Sequence, residues 1–229
     1  MWRAERLWLP GGREVVLGWA DVGARDDASL GPGEREALAR CRTDKRRQEF
    51  VAGRVAAHRA LARLAPGARA EVRAREGTPD EGRPFLWPER GLALSLTHSG
   101  GLAVAALAPG APLGVDLEQP VEAGPAFLEE AFAPGEHERY AGVCAGRLEP
   151  LTAAWALKEA VLKVWGVGLR APLRQVAVRP ELVDVEGNTL GLRLTVETGW
   201  LPPGLGPPPI HLAARLEGDA SGRVLALAG

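Results

Sequence analysis

The order of the predicted secondary-structure elements limits the possible folds more than any other feature, because the same order occurs twice along the chain. Each occurrence begins with an apolar strand, continues with two helical stretches and ends with several short strands. The segment PGAP (109–112) separates the two occurrences. We therefore predict an α+β fold of two similar subdomains in a pseudo-twofold arrangement, covering residues 1–110 and 111–229. The repeat lies in the order of elements and not in residue identity.

The boundaries follow from hydrophobic periodicity and from breaks at glycine and proline. The first occurrence predicts a strand, two helices and three strands, at 14–22, 33–41, 44–64, 70–76, 92–98 and 102–108. The second predicts a strand, two helices and four strands, at 113–118, 124–141, 150–165, 174–179, 190–196, 210–216 and 223–228. The sequence Ser-Gly-Gly (99–101) predicts a hairpin turn, and LPPGLGPPP (201–209) predicts a long loop.

Composition excludes several classes of protein. The chain has 229 residues, of which 46% are hydrophobic and 25% charged, as expected for a globular protein with a sizeable core. Its net charge of -1 gives no global basic excess, so we expect no nucleic-acid partner. The N-terminus has no apolar segment typical of a secretion signal, and no stretch has the length of a membrane span, which predicts a cytoplasmic protein. The two cysteines lack zinc-site spacing.

The motif GVDLE (114–118) follows directly after the PGAP segment. Alternate side chains of a strand share a face, so Asp116 and Glu118 are predicted side by side. Two such carboxylates repel each other unless a proton or cation lies between them, and oxygen pairs of this kind suit Mg²⁺ bound together with a phosphate. The alternative is the polar face of a sheet edge.

The motif WALKEAVLK (155–163) is predicted to be helical. Leu157, Ala160, Val161 and Val164 form an apolar stripe, and the other side carries Trp155, Lys158, Glu159, Leu162 and Lys163. A tryptophan is unusual on a solvated helix face. Two of the three lysines of this arginine-rich chain also lie here. An ammonium beside a carboxylate favours a phosphate site over the alternative, a surface helix with a Glu159–Lys163 pair.

Further basic groups lie in the first half of the chain. On the helix that contains RRQEFVAGR (46–54), Arg47, Arg54 and His58 are predicted beside the apolar stripe, where they bind phosphate or simply pack. Arg83 lies in EGRPFLW (81–87), and Thr97-His98 ends a predicted strand. The sequence has no phosphate-loop, dinucleotide or esterase-elbow motif, which argues against those enzyme classes.

Taken in order, RRQEFVAGR, GRPF, SLTHS, GVDLE, WALKEAVLK and GVGL resemble the 4'-phosphopantetheinyl transferases of the larger, pseudo-dimeric class, typified by the surfactin-synthetase activator. The resemblance spans about residues 40–180. Its most specific part is the pair of motifs G-x-D-x-E and W-x-x-K-E-x-x-x-K. The two-subdomain fold of that family agrees with the repeat predicted above.

The resemblance implies a residue-by-residue site. Asp116, Glu118 and Glu159 would bind Mg²⁺ or Mn²⁺, and Lys158 and Lys163 would hold phosphates of coenzyme A. Glu159 and Lys163 would be catalytic, although a metal-bound water is an alternative general base. The nucleotide end would be bound by Arg47, Arg54, Arg83, Thr97 and His98, with His98 on the 3'-phosphate. The chain departs from the family pattern at Ser95, Thr97 and Pro120.

The activity implied by the resemblance is transfer of the 4'-phosphopantetheine arm of coenzyme A to a serine hydroxyl of an apo acyl or peptidyl carrier protein, with release of 3',5'-ADP. The carrier would belong to fatty-acid, polyketide or nonribosomal-peptide synthesis. A monomer is expected, because two similar halves in one chain can build a site between them. Two alternatives stay open: a non-catalytic protein that binds coenzyme A or a carrier, and a Mg²⁺-dependent phosphohydrolase on the same fold.

Overall fold

A computed structural model describes residues 3–24, 27–205 and 207–229. Parts of the predicted N-terminal subdomain (1–2 and 25–26) and of the predicted loop 201–209 (Gly206) lie outside these ranges. The strands are β1 (Arg3–Trp8), β2 (Glu14–Asp21), β3 (Glu71–Ala74), β4 (Pro84–Trp87), β5 (Leu92–Ser99), β6 (Leu102–Pro109), β7 (Gly114–Glu118), β8 (Val176–Glu186), β9 (Thr189–Thr198), β10 (His211–Gly218) and β11 (Val224–Ala228). The α-helices are α1 (Pro32–Ala39), α2 (Asp44–Leu64), α3 (Pro125–Ala131), α4 (Arg139–Cys144) and α5 (Pro150–Trp165).

Two antiparallel sheets form the centre of the molecule. One has the strand order β1-β2-β6-β5 and the other has the order β7-β11-β10-β9-β8. Helix α2 packs on β2 and β6 of the first sheet, and α5 packs on β7 and β11 of the second. The faces that carry no helix meet each other in a shared apolar layer, which includes Leu17 and Val104 from one sheet and Val115 and Leu227 from the other. This arrangement confirms the predicted α+β class.

The two halves repeat one detail of helix–strand packing. A Cβ atom on Gly18 in β2 would lie 2.0 Å from the carbonyl oxygen of Ala56 in α2, and one on Gly114 in β7 would lie 1.8 Å from that of Ala160 in α5. Both distances are far below van der Waals contact. Glycine is therefore required at each position, because any side chain would push the helix away from its sheet.

A buried carboxylate is also repeated. Glu34 accepts hydrogen bonds from the backbone N–H of Gly31 and of Val72, and its carboxylate lies 3.0 Å from His58 Nε2 in α2. In the second half, Glu136 takes the equivalent place. It accepts from Ala133 N, from Val178 N and from Lys158 Nζ in α5. In each half one carboxylate thus joins a turn, a strand and the long helix, which supports a pseudo-twofold relation.

Most predicted elements are present, and the differences have local causes. The predicted helix 124–141 is instead two short helices, α3 and α4, because Pro134 and the positive φ of Gly135 (71°) interrupt it. Strand β8 continues to Glu186, well beyond the predicted end at 179. The sequence analysis missed β1 and β4. No helix in the described part of the chain is long and apolar enough to cross a membrane.

Candidate active site

A cleft of about 550 Å³ lies between the two halves. Helix α2 and strand β5 supply one wall, and β7 and α5 supply the other. Its lining includes Arg46, Glu49, Phe50, Arg54, Arg83, Thr97, His98, Asp116, Glu118, Glu159 and Lys163. The volume lies within the usual range of small-molecule sites, about 300–1,000 Å³. The basic groups come mainly from the N-terminal half and the three carboxylates Asp116, Glu118 and Glu159 from the C-terminal half.

Gly114 brings the two chemical motifs of the second half together. Side chains alternate along β7, so Gly114, Asp116 and Glu118 share one face of the strand. The backbone of α5 lies directly on Gly114, which has no side chain to hold the helix off. As a result, Glu159 and Lys163 of α5 reach the same cleft as Asp116 and Glu118. The predicted common face of Asp116 and Glu118 is confirmed.

Asp116 is almost fully buried and has one oxygen satisfied and one free. Its Oδ1 accepts hydrogen bonds from Lys163 Nζ at 2.6 Å and from Thr97 Oγ1 at 3.0 Å. Its Oδ2 is buried and has no hydrogen-bond partner within the described residues. Leaving a carboxylate oxygen buried without a partner costs free energy. A cation or another donor bound at Oδ2 would remove that cost.

The other two carboxylates of this wall hold protons unusually tightly. Burial, together with the negative charges of Asp116 and Glu159, raises the pKa of Glu118 to about 7. Burial and the charge of Asp116 likewise raise the pKa of Glu159 to about 7. The ammonium of Lys163 acts in the opposite direction on both but does not outweigh these effects. The wall formed by β7 and α5 therefore has a local excess of negative charge.

These residues fit a magnesium ion by their chemistry. Mg²⁺ prefers oxygen ligands and is commonly held by one or two carboxylates together with substrate phosphates and water. The unpartnered Oδ2 of Asp116 and the raised pKa values of Glu118 and Glu159 are the features that a divalent cation would relieve. Among the described residues, no three acidic, histidine or cysteine side chains already lie close enough together to hold a metal ion. The carboxylates share the cleft and would have to converge on the ion.

The opposite wall of the cleft carries an under-satisfied guanidinium. Arg54 stacks on the ring of Phe50, with Cζ 3.5 Å from the ring centroid. Its Nε is buried without a hydrogen-bond partner in the described structure, and burial lowers its pKa to about 10. Nearby, His98 Nε2 lies 3.5 Å from Arg46 Nη1 and 3.7 Å from Glu49 Oε2. This wall suits an anionic ligand.

Arg83 lines the cleft and connects the two halves. Its Nη2 is 3.4 Å from the carbonyl oxygen of Val164, in the last turn of α5, and its Nη1 is 3.9 Å from Asp80 Oδ2. Burial lowers its pKa. Arg83 thus faces the cleft while also contacting the carbonyl end of the helix, where a cation is favourable.

The structure corrects the expectation for Lys158. Its side chain is completely buried, and Nζ lies 2.8 Å from Glu136 Oε2 inside the core of the second half. It does not line the cleft and cannot hold a phosphate there. The polar side of α5 was predicted too wide. Lys158 lies about 100° around the helix from Glu159, so it faces the core while Glu159 faces the cleft. Leu162, predicted on the same side, is also buried.

On the N-terminal wall, the structure corrects the expectation for Arg47 and decides between the two alternatives left open for His58. Arg47 is exposed on α2, with Nη1 3.4 Å from the carbonyl oxygen of Leu38, and it is outside the described lining of the cleft. The neighbouring Arg46 lines the cleft instead. His58 points away from the cleft to Glu34.

Sequence reasoning missed Glu49 and Glu136. Glu49 could have been found from helical spacing, because it lies three residues after Arg46 and four before Gly53 on the cleft face of α2. Glu136 stands in an irregular segment between α3 and α4, and its partner Val178 is 42 residues away. No local pattern identifies such a residue.

Comparisons with known proteins agree with this geometry. The family model for the 4'-phosphopantetheinyl transferase N-terminal domain matches residues 34–108, and that for the 4'-phosphopantetheinyl transferase superfamily matches residues 112–193. The second match contains Asp116, Glu118, Glu159 and Lys163. The first contains the basic wall.

Individual relatives show the same similarity over different lengths. A holo-[acyl-carrier-protein] synthase of Roseiflexus is 45% identical over 49 residues, which are 21% of this chain and 33% of that protein. A phosphopantetheinyl transferase of Thraustochytrium is 31% identical over 183 residues, 71% of this chain and 62% of that protein. The chain thus spans less than two thirds of these two relatives.

A longer match extends over nearly the whole chain. The 4'-phosphopantetheinyl transferase Svp of Streptomyces mobaraensis is 31% identical over 213 residues, which are 89% of this chain and 78% of that protein. Two adjacent family models, a relative that matches 89% of this chain and the carboxylate cleft between two α+β halves lead to one assignment. The chain belongs to the 4'-phosphopantetheinyl transferase superfamily, in its larger class.

Proposed function

We propose that this protein transfers the 4'-phosphopantetheine arm of coenzyme A to a serine hydroxyl of an apo carrier protein, in a Mg²⁺-dependent reaction that releases 3',5'-ADP. The observation that carries the proposal is a single cleft with three carboxylates and an ammonium on one wall and basic groups on the other. The names of the relatives support the same reaction class, since one is a holo-[acyl-carrier-protein] synthase and two are phosphopantetheinyl transferases.

The basic wall is proposed to bind coenzyme A. Arg54 offers a partly buried guanidinium without a protein anion bound to its Nε, and it is held in place by the ring of Phe50. Arg83 and His98 add donors at either end of this wall, with His98 assigned to the 3'-phosphate. These contacts would lay the pyrophosphate between the walls, next to Lys163 and the carboxylates.

The carboxylate wall is proposed to carry out the transfer. Asp116, Glu118 and Glu159 would hold Mg²⁺ or Mn²⁺, and the bound ion would offset negative charge on the pyrophosphate oxygens. Lys163 would offset further charge that grows as the bond between the β-phosphorus and its bridging oxygen breaks.

Glu159 is the proposed general base. The carrier serine must lose a proton as its oxygen attacks the β-phosphorus, and Glu159 would accept it directly or through a water molecule. Glu159 lines the cleft together with Asp116 and Lys163, which would place its carboxylate beside the reacting groups. The leaving group is 3',5'-ADP, so that phosphopantetheine remains on the serine.

The proposal extends to the setting of the reaction. Both walls of the cleft come from one chain, which favours a monomer. The proposal also keeps the subdomain boundary at 110/111 and a cytoplasmic location. The carrier protein can belong to fatty-acid, polyketide or nonribosomal-peptide synthesis. Each class is therefore included in the test.

The test is the intact mass of apo carriers from the three pathways after incubation with this protein, coenzyme A and MgCl₂. We expect at least one carrier to gain the mass of one phosphopantetheine arm. Glu159→Gln should abolish the gain, whereas Glu186→Gln on the exposed end of β8 should not. Release of 3',5'-ADP without a modified carrier would indicate a phosphohydrolase, and coenzyme A binding without either product would indicate a non-catalytic binder.

A further inference from the structure

Strand β7 carries the metal-binding motif at an unpaired edge of its sheet. Its neighbour on one side is β11, and within the described residues no strand pairs with its other side. The outward backbone N–H groups are instead bound by hydroxyls of the other half. Ser95 Oγ accepts from Val115 N at 3.0 Å, and Thr97 Oγ1 accepts from Leu117 N at 3.3 Å. We call Ser95 and Thr97 the hydroxyl brace, because they take the place of a strand partner for β7.

The two residues of the hydroxyl brace differ in what else they contact. A hydroxyl has one donor and two acceptor sites. Thr97 uses its acceptor side for Leu117 N and its donor for Asp116 Oδ1, at 3.0 Å. Ser95 accepts from Val115 N, two residues before Leu117. Thr97 is only 7% exposed, so solvent does not readily compete for its hydroxyl.

The donation by Thr97 helps determine which oxygen of Asp116 is available. Oδ1 already receives two donors, Thr97 Oγ1 and Lys163 Nζ. Oδ2 is left buried and without a partner in the described structure. Groups that orient a metal-binding carboxylate through hydrogen bonds commonly change metal affinity when they are removed.

We propose that Thr97 is a positioning residue, through which the N-terminal half orients Asp116 of the C-terminal half for metal binding. This differs from the role implied by the family resemblance, in which Thr97 contacts the nucleotide. The inference rests on the proposed function only in taking Asp116 as a metal ligand. It makes metal affinity depend on the correct docking of the two halves.

The experiment is calorimetric titration of the full-length protein with MnCl₂, without coenzyme A. Thr97→Val keeps the shape of the side chain and removes the hydroxyl. We expect its dissociation constant for Mn²⁺ to rise by about 10- to 100-fold, as is typical when such an orienting group is lost. Thr97→Ser restores a hydroxyl and should stay within about threefold of the natural protein.

Ser95→Ala is the matched control, because it removes the other hydroxyl of the brace without touching Asp116. We expect it to lower the melting temperature about as much as Thr97→Val, since both free a buried N–H of β7. Its Mn²⁺ affinity should stay within about threefold of the natural value. If Thr97→Val does not fold, Thr97→Ala is measured in its place.

Three results would overturn the proposal. Unchanged Mn²⁺ affinity in Thr97→Val would show that the hydroxyl does not orient Asp116, and an equal loss in Ser95→Ala would show a purely structural brace. A higher KM for coenzyme A in Thr97→Val at unchanged Mn²⁺ affinity would return Thr97 to the nucleotide site. If the natural protein binds Mn²⁺ but modifies no carrier, the proposed function fails while the orienting role of Thr97 stands.

Discussion

Replacing Lys158 by methionine tests the clearest conflict between sequence and structure. Sequence resemblance assigns this lysine to coenzyme A, whereas its ammonium is completely buried and lies 2.8 Å from Glu136. Methionine has a similar length and no charge, so Lys158→Met removes the ion pair while it keeps most of the side-chain volume. We expect a large loss of stability and little direct effect on coenzyme A binding.

The magnitude follows from the geometry. At 2.8 Å and an effective dielectric constant of about 20, the attraction between the two charges is about 6 kcal/mol. Desolvation offsets much of this, and removal of one partner of a buried pair typically costs about 3–5 kcal/mol. Glu136 keeps the N–H groups of Ala133 and Val178. We therefore expect the lower end, about 3 kcal/mol, which corresponds to a melting temperature about 6–12 °C lower.

The assay combines urea denaturation with coenzyme A kinetics, and Lys163→Met is the matched control. Lys163 lies five residues later on the same helix, is partly exposed and lines the cleft. Lys163→Met should cost only about 1 kcal/mol of stability but reduce kcat by about 100-fold or more. Lys158→Met should show the opposite pattern, a large loss of stability with little effect on coenzyme A. At temperatures below the melting transition of this variant, its KM for coenzyme A should stay within about threefold of the natural value. A stable Lys158→Met protein with lost coenzyme A binding would refute the reasoning.

Three further predictions concern other parts of the same framework. The net pKa of Glu34 lies below its ordinary value, because hydrogen bonds from an imidazole and backbone amides outweigh the opposing effect of burial. The stabilisation that Glu34 provides is therefore complete above pH 4.5 and is lost as the pH falls through the lowered pKa. Glu34→Gln should flatten the acid limb of a profile of stability in urea against pH. Gly114→Ala would place a Cβ 1.8 Å from the carbonyl oxygen of Ala160 and displace α5. Calorimetry should then show Mn²⁺ binding weakened by about tenfold or more. The control Gly18→Ala should lower stability about as much as Gly114→Ala and leave the Mn²⁺ affinity intact. Arg54→Lys loses the planar donor fork stacked in the cleft, so KM for coenzyme A should rise by about tenfold with kcat retained, and steady-state kinetics would contradict this if kcat fell instead.

The sequence predicted the placement of residues correctly where the whole pattern lies within one strand, turn or helix. Alternation along a strand is sufficient to put Asp116 and Glu118 on one face, and the Gly-Gly turn at 100–101 has positive φ at both residues, as a tight hairpin requires. The helices α2 and α5 begin and end close to their predicted limits because a threonine cap, a Glu149 cap and the left-handed Gly166 mark them.

Patterns that depend on distant partners were not readable. Strand β1 carries charged side chains and is held mainly by pairing with β2. Strand β4 has just four residues. In both strands, tertiary contacts outweigh local propensity. Arg46 and Arg47 are adjacent and chemically identical, yet the packing of α2 against β5 directs only Arg46 to the cleft.

The sequence by itself determined the α+β class, the repeated order of elements, the resemblance to a transferase family and the carboxylate motifs, because each depends on residue spacing within a short segment. Only the tertiary structure decided which charged groups share the cleft. Lys158 and Lys163 belong to one motif on one helix, but α5 is buried on the side that carries Lys158 and open to the cleft at Lys163. That division arises from the approach of α5 to Gly114 and from a carboxylate 22 residues earlier in the chain, which are contacts that a one-dimensional pattern does not contain.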